Sequence, residues 1–160
     1  MDVWSEYAAC RSTALFRPEA AEDFEGMFCQ SLQDTKSRCK HRIVAYRENH
    51  NALEAFFDLQ QLFGDLFIHA GYLLGHLDGL EQKIETHAPR ASQLLSAHSN
   101  EENLFRELRQ QLHKLWLTEY SWEPIDVLAP IYELICAMMA LHGLVFARHG
   151  DEWRIVMTEE

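Results

Sequence analysis

The sequence has only four prolines and seven glycines among its 160 residues. That is too few turn-formers for a turn-dense all-β protein, and the composition is far from that of a disordered chain. A long hydrophobic run is also missing. The longest uncharged apolar stretch, Leu134 to Ala147, falls short of the ~18 residues that suggest a membrane span, and it reads as a buried helix instead. The opening Met1-Asp2-Val3-Trp4-Ser5-Glu6 carries acids where a secretory signal carries Lys or Arg, and no apolar h-region follows. The expectation is a mature protein that begins at Met1 and is cytoplasmic. Cys10, Cys29, Cys39 and Cys136 contain no C-x-x-C pair, and a chain of this length can dispense with bridges, so reduced core cysteines are expected.

Basic residues are scarce as well. Fourteen Lys and Arg stand against twenty-five Asp and Glu, a formal charge of −11, which is the wrong sign for holding a phosphate backbone. No membrane or nucleic-acid partner is expected; the acidity suits a basic partner or plain solubility. The chain has no G-x-x-x-x-G-K-[ST], G-x-G-x-x-G, H-E-x-x-H or G-x-S-x-G, which removes the commonest nucleotide-binding, metalloprotease and hydrolase readings.

What is present is helical. With 48% hydrophobic and 11% aromatic residues the chain can bury a substantial core. Stop and start signals divide it into a short helix over 5–16, helices about 18–48, 52–86, 90–97, 100–119 and 124–148, and a tail over 150–160. Pro18 and Pro89 suit first helical positions. Asn51 with Glu54, and Ser99 with Glu102, have capping-box spacing, and Pro130 marks a kink or a broken first turn. The fold expected is all-α: one domain over 1–160, an up-and-down bundle of five to six helices. The nearly all-apolar C-terminal helix is placed at its centre, burying Cys136 with it.

The segment 52–86 carries the clearest pattern. At 100° per residue, Leu53, Phe56, Phe57, Leu59, Phe63, Leu66, Phe67, Ile68, Leu74 and Leu77 form a wide apolar face. Gly64, Gly71 and Gly75 align on its flank, where each costs about 1 kcal/mol of helix propensity relative to Ala, and the alignment suggests that another backbone packs close there. Opposite runs a polar stripe of Glu54, Asp58, Asp65, His69, Tyr72 and His76. Asp58, Asp65, His69 and His76 are metal-ligand types, and Asp65 with His69 at i, i+4 can share one transition metal. The same stripe is what a solvent-facing helix requires. Ferritin-like and hemerythrin-like bundles repeat such pairs within several helices; here His-x-x-x-Glu occurs only at His50–Glu54 and His98–Glu102, each straddling an expected helix start, so neither family is assigned.

Three smaller constellations remain. His142 and His149 share a face of the last expected helix, with Glu133 opposite, a pattern that a hydrogen-bonded core histidine also explains; Met138, Met139 and Met157 read as core filler. Cys39, flanked by Arg38, Lys40, His41 and Arg42, sits where cations can lower a thiol pKa, or simply on one turn of solvated helix. Arg106 and His113 have an R-x6-H spacing that resembles the motif of the helical HEPN ribonucleases, in which His and Arg face the scissile phosphate. That resemblance implies RNA cleavage by these two residues, although Glu107 replaces the polar residue usual after the Arg and would repel phosphate.

By elimination, the leading expectation is a small acidic interaction module, such as an adaptor, secretion chaperone, or immunity or antitoxin-type inhibitor, more a binding protein than an enzyme. It would bind a protein partner, basic or a second copy of itself, with no cofactor. A metal-binding bundle and a HEPN-like ribonuclease stand second and third.

Overall fold

The computed structural model describes residues 3–49, 52–118, 128–149 and 152–157. Their order is α1 (Val3–Thr13), two short 3-10 turns (Ala14–Phe16 and Pro18–Ala20), α2 (Ala21–Asn49), α3 (Ala52–Gly79), α4 (Ile84–His87), α5 (Pro89–Ser96), α6 (Ser99–Leu117), α7 (Ala129–Leu141), β1 (Leu144–His149) and β2 (Glu152–Met157). The protein is an all-α bundle finished by one antiparallel hairpin. None of the described helices is long and apolar enough to cross a membrane.

α3 is the hub. Leu59, Phe63, Leu66, Phe67, Leu73 and Leu77 are at most 2% exposed, and they meet Phe28 and Leu32 of α2 and Phe105, Leu108 and Leu112 of α6 in one core. Phe28 and Phe105 pack edge to face with centroids 5.0 Å apart, the arrangement that ring quadrupoles favour. Phe57, expected on the buried face, is 57% exposed.

The expected close crossing is real at two of the three glycines and extends to a fourth. A Cβ on Gly71 would stand 2.8 Å from the Val3 carbonyl oxygen, one on Gly75 would overlap the Tyr7 backbone, and one on Gly79 would stand 2.5 Å from the Arg11 carbonyl oxygen. Gly71, Gly75 and Gly79 therefore form a groove that receives α1 at Val3, Tyr7 and Arg11, one turn per glycine. Gly64 is outside it, with nothing within 4 Å of its Cβ position.

Several boundaries differ from the sequence expectation. α3 ends at Gly79 rather than Thr86, because Glu81 takes a left-handed φ of 54° and the amides of Gln82 and Glu81 turn back to Leu77 O and Asp78 O at 2.8 and 3.3 Å, the Schellman pattern of a helix stop. The Ser99 capping box does not form: His98 is the N-cap, without a side-chain bond, and Ser99 is already helical. Asn51 and the expected start of the last helix at 124 lie outside the described residues. α5 instead draws its cap from another helix, since Glu25 of α2, 4% exposed, accepts the Arg90 and Ala91 amides at 2.7 and 3.0 Å.

The largest correction is at the C-terminal end. The expected helix over 124–148 is α7 alone within the described residues: Pro130 fits its first turn and it stops at His142. Gly143, at φ 81°, then turns the chain into β1, which pairs with β2 from Leu144↔Met157 to His149↔Glu152. α7 buries Ile131, Leu134, Met138 and Met139, whereas Cys136, expected to be buried, is exposed.

Replacing Gly75 with Ala should destabilise the protein by about 3 kcal/mol, as overpacking against a backbone does, whereas Gly64→Ala should stabilise it by up to ~1 kcal/mol through helix propensity. Urea unfolding midpoints of the two variants give the comparison, and equal shifts would dismiss the glycine groove.

Candidate functional site

The stripe on α3 is largely spoken for. Asp58 and Glu54 pair with Arg42 of α2. His76 is 2% exposed, hydrogen-bonds the Pro18 carbonyl oxygen at 3.2 Å and lies edge-on to Phe24 of α2, while Tyr72 bonds Glu6 of α1. Asp65 is exposed and in no ion pair among the described residues, and His69 is half-buried against Tyr72. Asp58, Asp65, His69 and His76 are thus not gathered on one ion, and among the described residues no group of three or more His, Cys, Asp or Glu is placed to hold a metal. The cause is simple: α2, α1 and the turn at Pro18 pack along part of the side expected to be solvated, so Glu54, Asp58, Tyr72 and His76 are contacts with other segments.

Cys39 is also reassigned. Its side chain is fully buried and desolvation pushes the thiol up to about 11, the reverse of activation by its basic neighbours. Arg106 turns to Glu102 at 3.2 Å, whereas His113 bonds Arg11 of α1 at 2.9 Å, so the two R-x6-H residues serve different partners. His149 is on β1, which separates it from His142. His142 lies instead beside Glu101 of α6, 3.9 Å from its carboxylate, and Lys36 pairs with that same carboxylate at 2.7 Å.

Two surfaces bring chemistry together. The first is an apolar groove of about 370 Å³ between α1, α3 and α7. Trp4, Phe63, Phe67 and Ile131 form its floor, and Gly64, Ile68, Tyr132, Ile135, Cys136 and Met139 its sides. It stays open because Gly64 offers no side chain, and Tyr132 is 60% exposed on its lip. Asp65, next to Gly64 on α3, and Glu133, next to Tyr132 on α7, are exposed and make no ion pair among the described residues.

The second is a polar node around Asp78, at the end of α3, with 9% of its side chain exposed. The Tyr7 hydroxyl donates to Oδ2 at 2.6 Å, Arg11 donates to the Tyr7 oxygen at 2.5 Å, and Arg109 reaches Oδ1 through Nε at 2.8 Å and Nη2 at 2.6 Å. Burial, and then the Asp78 carboxylate, hold the Tyr7 phenol well above its ordinary value, so Tyr7 is a fixed donor. Apart from His113, read from the sequence in another pairing, no local pattern marks this node, because its members come from three helices, at 7, 11, 78, 109 and 113. Comparison with family models, with curated proteins and with solved structures finds no match.

Asp78→Ala should cost about 3 kcal/mol, because it strands two guanidinium groups and a buried hydroxyl; a urea-unfolding loss below about 1 kcal/mol would mean that the node is not structural. Burial also holds the His142 imidazole below its ordinary 6.5, against the opposing pull of Glu101. As pH falls, the unfolded chain takes up that proton first, so stability is full above ~6.5 and declines from there towards the lowered folded value. His142→Asn should flatten this decline between about pH 7.5 and pH 5; unfolding midpoints measured across that range would refute it if parent and variant fall in parallel.

Proposed function

We propose that the protein is a non-catalytic interaction module, and that the groove between α1, α3 and α7 receives an amphipathic, basic helix of a partner protein. The observation that carries this reading is an open apolar groove on a strongly acidic chain: an apolar floor selects a hydrophobic ridge, and exposed carboxylates on the two flanking helices, Asp65 and Glu133, favour Lys or Arg on the partner's outer faces. One Leu-sized anchor seated there contributes about 1.5–3 kcal/mol by burial. The formal charge of −11 adds long-range attraction for such a partner. An adaptor or inhibitor role fits this reading, because the groove needs no nucleophile, metal or cofactor.

A helical peptide built from Leu and Lys is a suitable probe, followed through the methyl signals of Ile135 and Met139. Saturable shifts are expected, lost in Gly64→Phe, which fills the groove, and weakened about fivefold when Asp65 and Glu133 are both changed to Lys. A peptide with Glu in place of Lys that binds as well would overturn the choice of a basic partner. Self-association that moves the same methyls as protein concentration rises would assign the groove to a second copy of the chain instead.

A further inference from the structure

Beyond the groove, the outer side of the Asp78 node is a shallow basin of about 380 Å³, lined by Asp78, Arg109, Gln110, His113 and Lys114. Its charge runs against that of the chain. Arg109 and Lys114 line it beside a single carboxylate, Asp78, which Arg11 also approaches, in a protein with a formal charge of −11. That carboxylate is turned inward, 9% exposed, and is occupied by the Tyr7 hydroxyl and the Arg109 guanidinium.

Two of the three donors, Arg109 and His113, are held in advance. Arg109 is fixed by Asp78 through Nε and Nη2, and by the Gln82 carbonyl oxygen at 3.0 Å, which leaves Nη1 without a bond among the described residues. The Arg11 guanidinium lies over the Trp116 ring at 4.8 Å and contacts His113 Nδ1 at 2.9 Å. A guanidinium can only donate, so Nδ1 accepts and the imidazole proton resides on Nε2, at the far edge of the ring. His113 therefore offers an N–H donor, and Lys114 adds an ammonium that forms no ion pair among the described residues.

We infer that this basin binds an oxyanion, a phosphate or carboxylate group, through Arg109, His113 and Lys114, with Asp78 and Arg11 as positioning residues. Donors fixed before binding lose little freedom when the ligand arrives, and charge-assisted bonds to phosphate or carboxylate are the strong ones. Asp78 does not repel such a ligand effectively, since its charge is already engaged by Arg109. The site is independent of the groove.

The test is a titration of the whole protein with inorganic phosphate at constant ionic strength, balanced with chloride, following the Arg109 Nε–H and His113 ring signals by NMR. Saturation at one equivalent is expected, with affinity weakened about tenfold in Lys114→Ala and again in His113→Phe. Both residues are exposed, so circular dichroism should show the fold intact. Arg106→Ala, on the same helix but outside the basin, should bind as the parent does. Acetate in a parallel titration distinguishes the ligand class: tighter phosphate points to a phosphorylated ligand, tighter acetate to a carboxylate. Signals that drift without saturating in both titrations, or an unchanged affinity in Lys114→Ala, would overturn the assignment.

Discussion

The approach of two backbones at Gly71, Gly75 and Gly79 is the contact from which the rest of the structure is arranged. A side chain at any of these positions would meet α1 at Val3, Tyr7 or Arg11, and helices normally pack 8–10 Å apart because side chains hold them there. Removing three side chains in register lets α1 sink against α3 along its length. The helix propensity given up, about 1 kcal/mol per glycine, is offset by burial: Val3, Trp4, Tyr7 and Ala8 are all below 9% exposed.

Both candidate surfaces descend from that docking. The N-terminal end of α1 supplies Trp4 to the floor of the apolar groove, and its C-terminal end supplies Tyr7 and Arg11 to the Asp78 node. Trp4 and Arg11 lie roughly 10 Å apart along the helix axis, so one rigid element sets the shape of an apolar site and of a charged one. Gly64, two turns before Gly71, shows the other use of a missing side chain. There the space is left open to solvent and becomes the groove itself.

Much of this architecture could be read from the sequence because periodicity reports burial. The 3.6-residue repeat over Leu59–Leu77 located the hub, and the aligned glycines located its close neighbour. Periodicity does not report which polar residues face another helix. Asp58 and His76 repeat as a solvated stripe does, yet they meet Arg42 and Pro18 of segments far away in sequence. The early end of α3 escaped notice because Glu81, not a glycine, occupies the left-handed position. The hairpin is hidden because Leu144–Ala147 continues the apolar run of the helix before it; the contrary signal in the sequence is Gly150-Asp151 between two β-rich runs, a pairing suited to a two-residue turn. The Asp78 node has no local signature, since its residues converge only after folding.

Glu25 carries a consequence for the stability of a helix other than its own. α5 has eight residues, well under the ~12–15 at which an isolated helix becomes marginally stable in water. Its first amides are satisfied by a carboxylate that sits 65 positions earlier in the chain. α5 thus has no self-sufficient helical state; it winds on a template that α2 provides, and its ordering reports on docking rather than on local sequence. The stability of α5 is thereby tied to that of α2, whose withdrawal leaves the Arg90 and Ala91 amides without their acceptor.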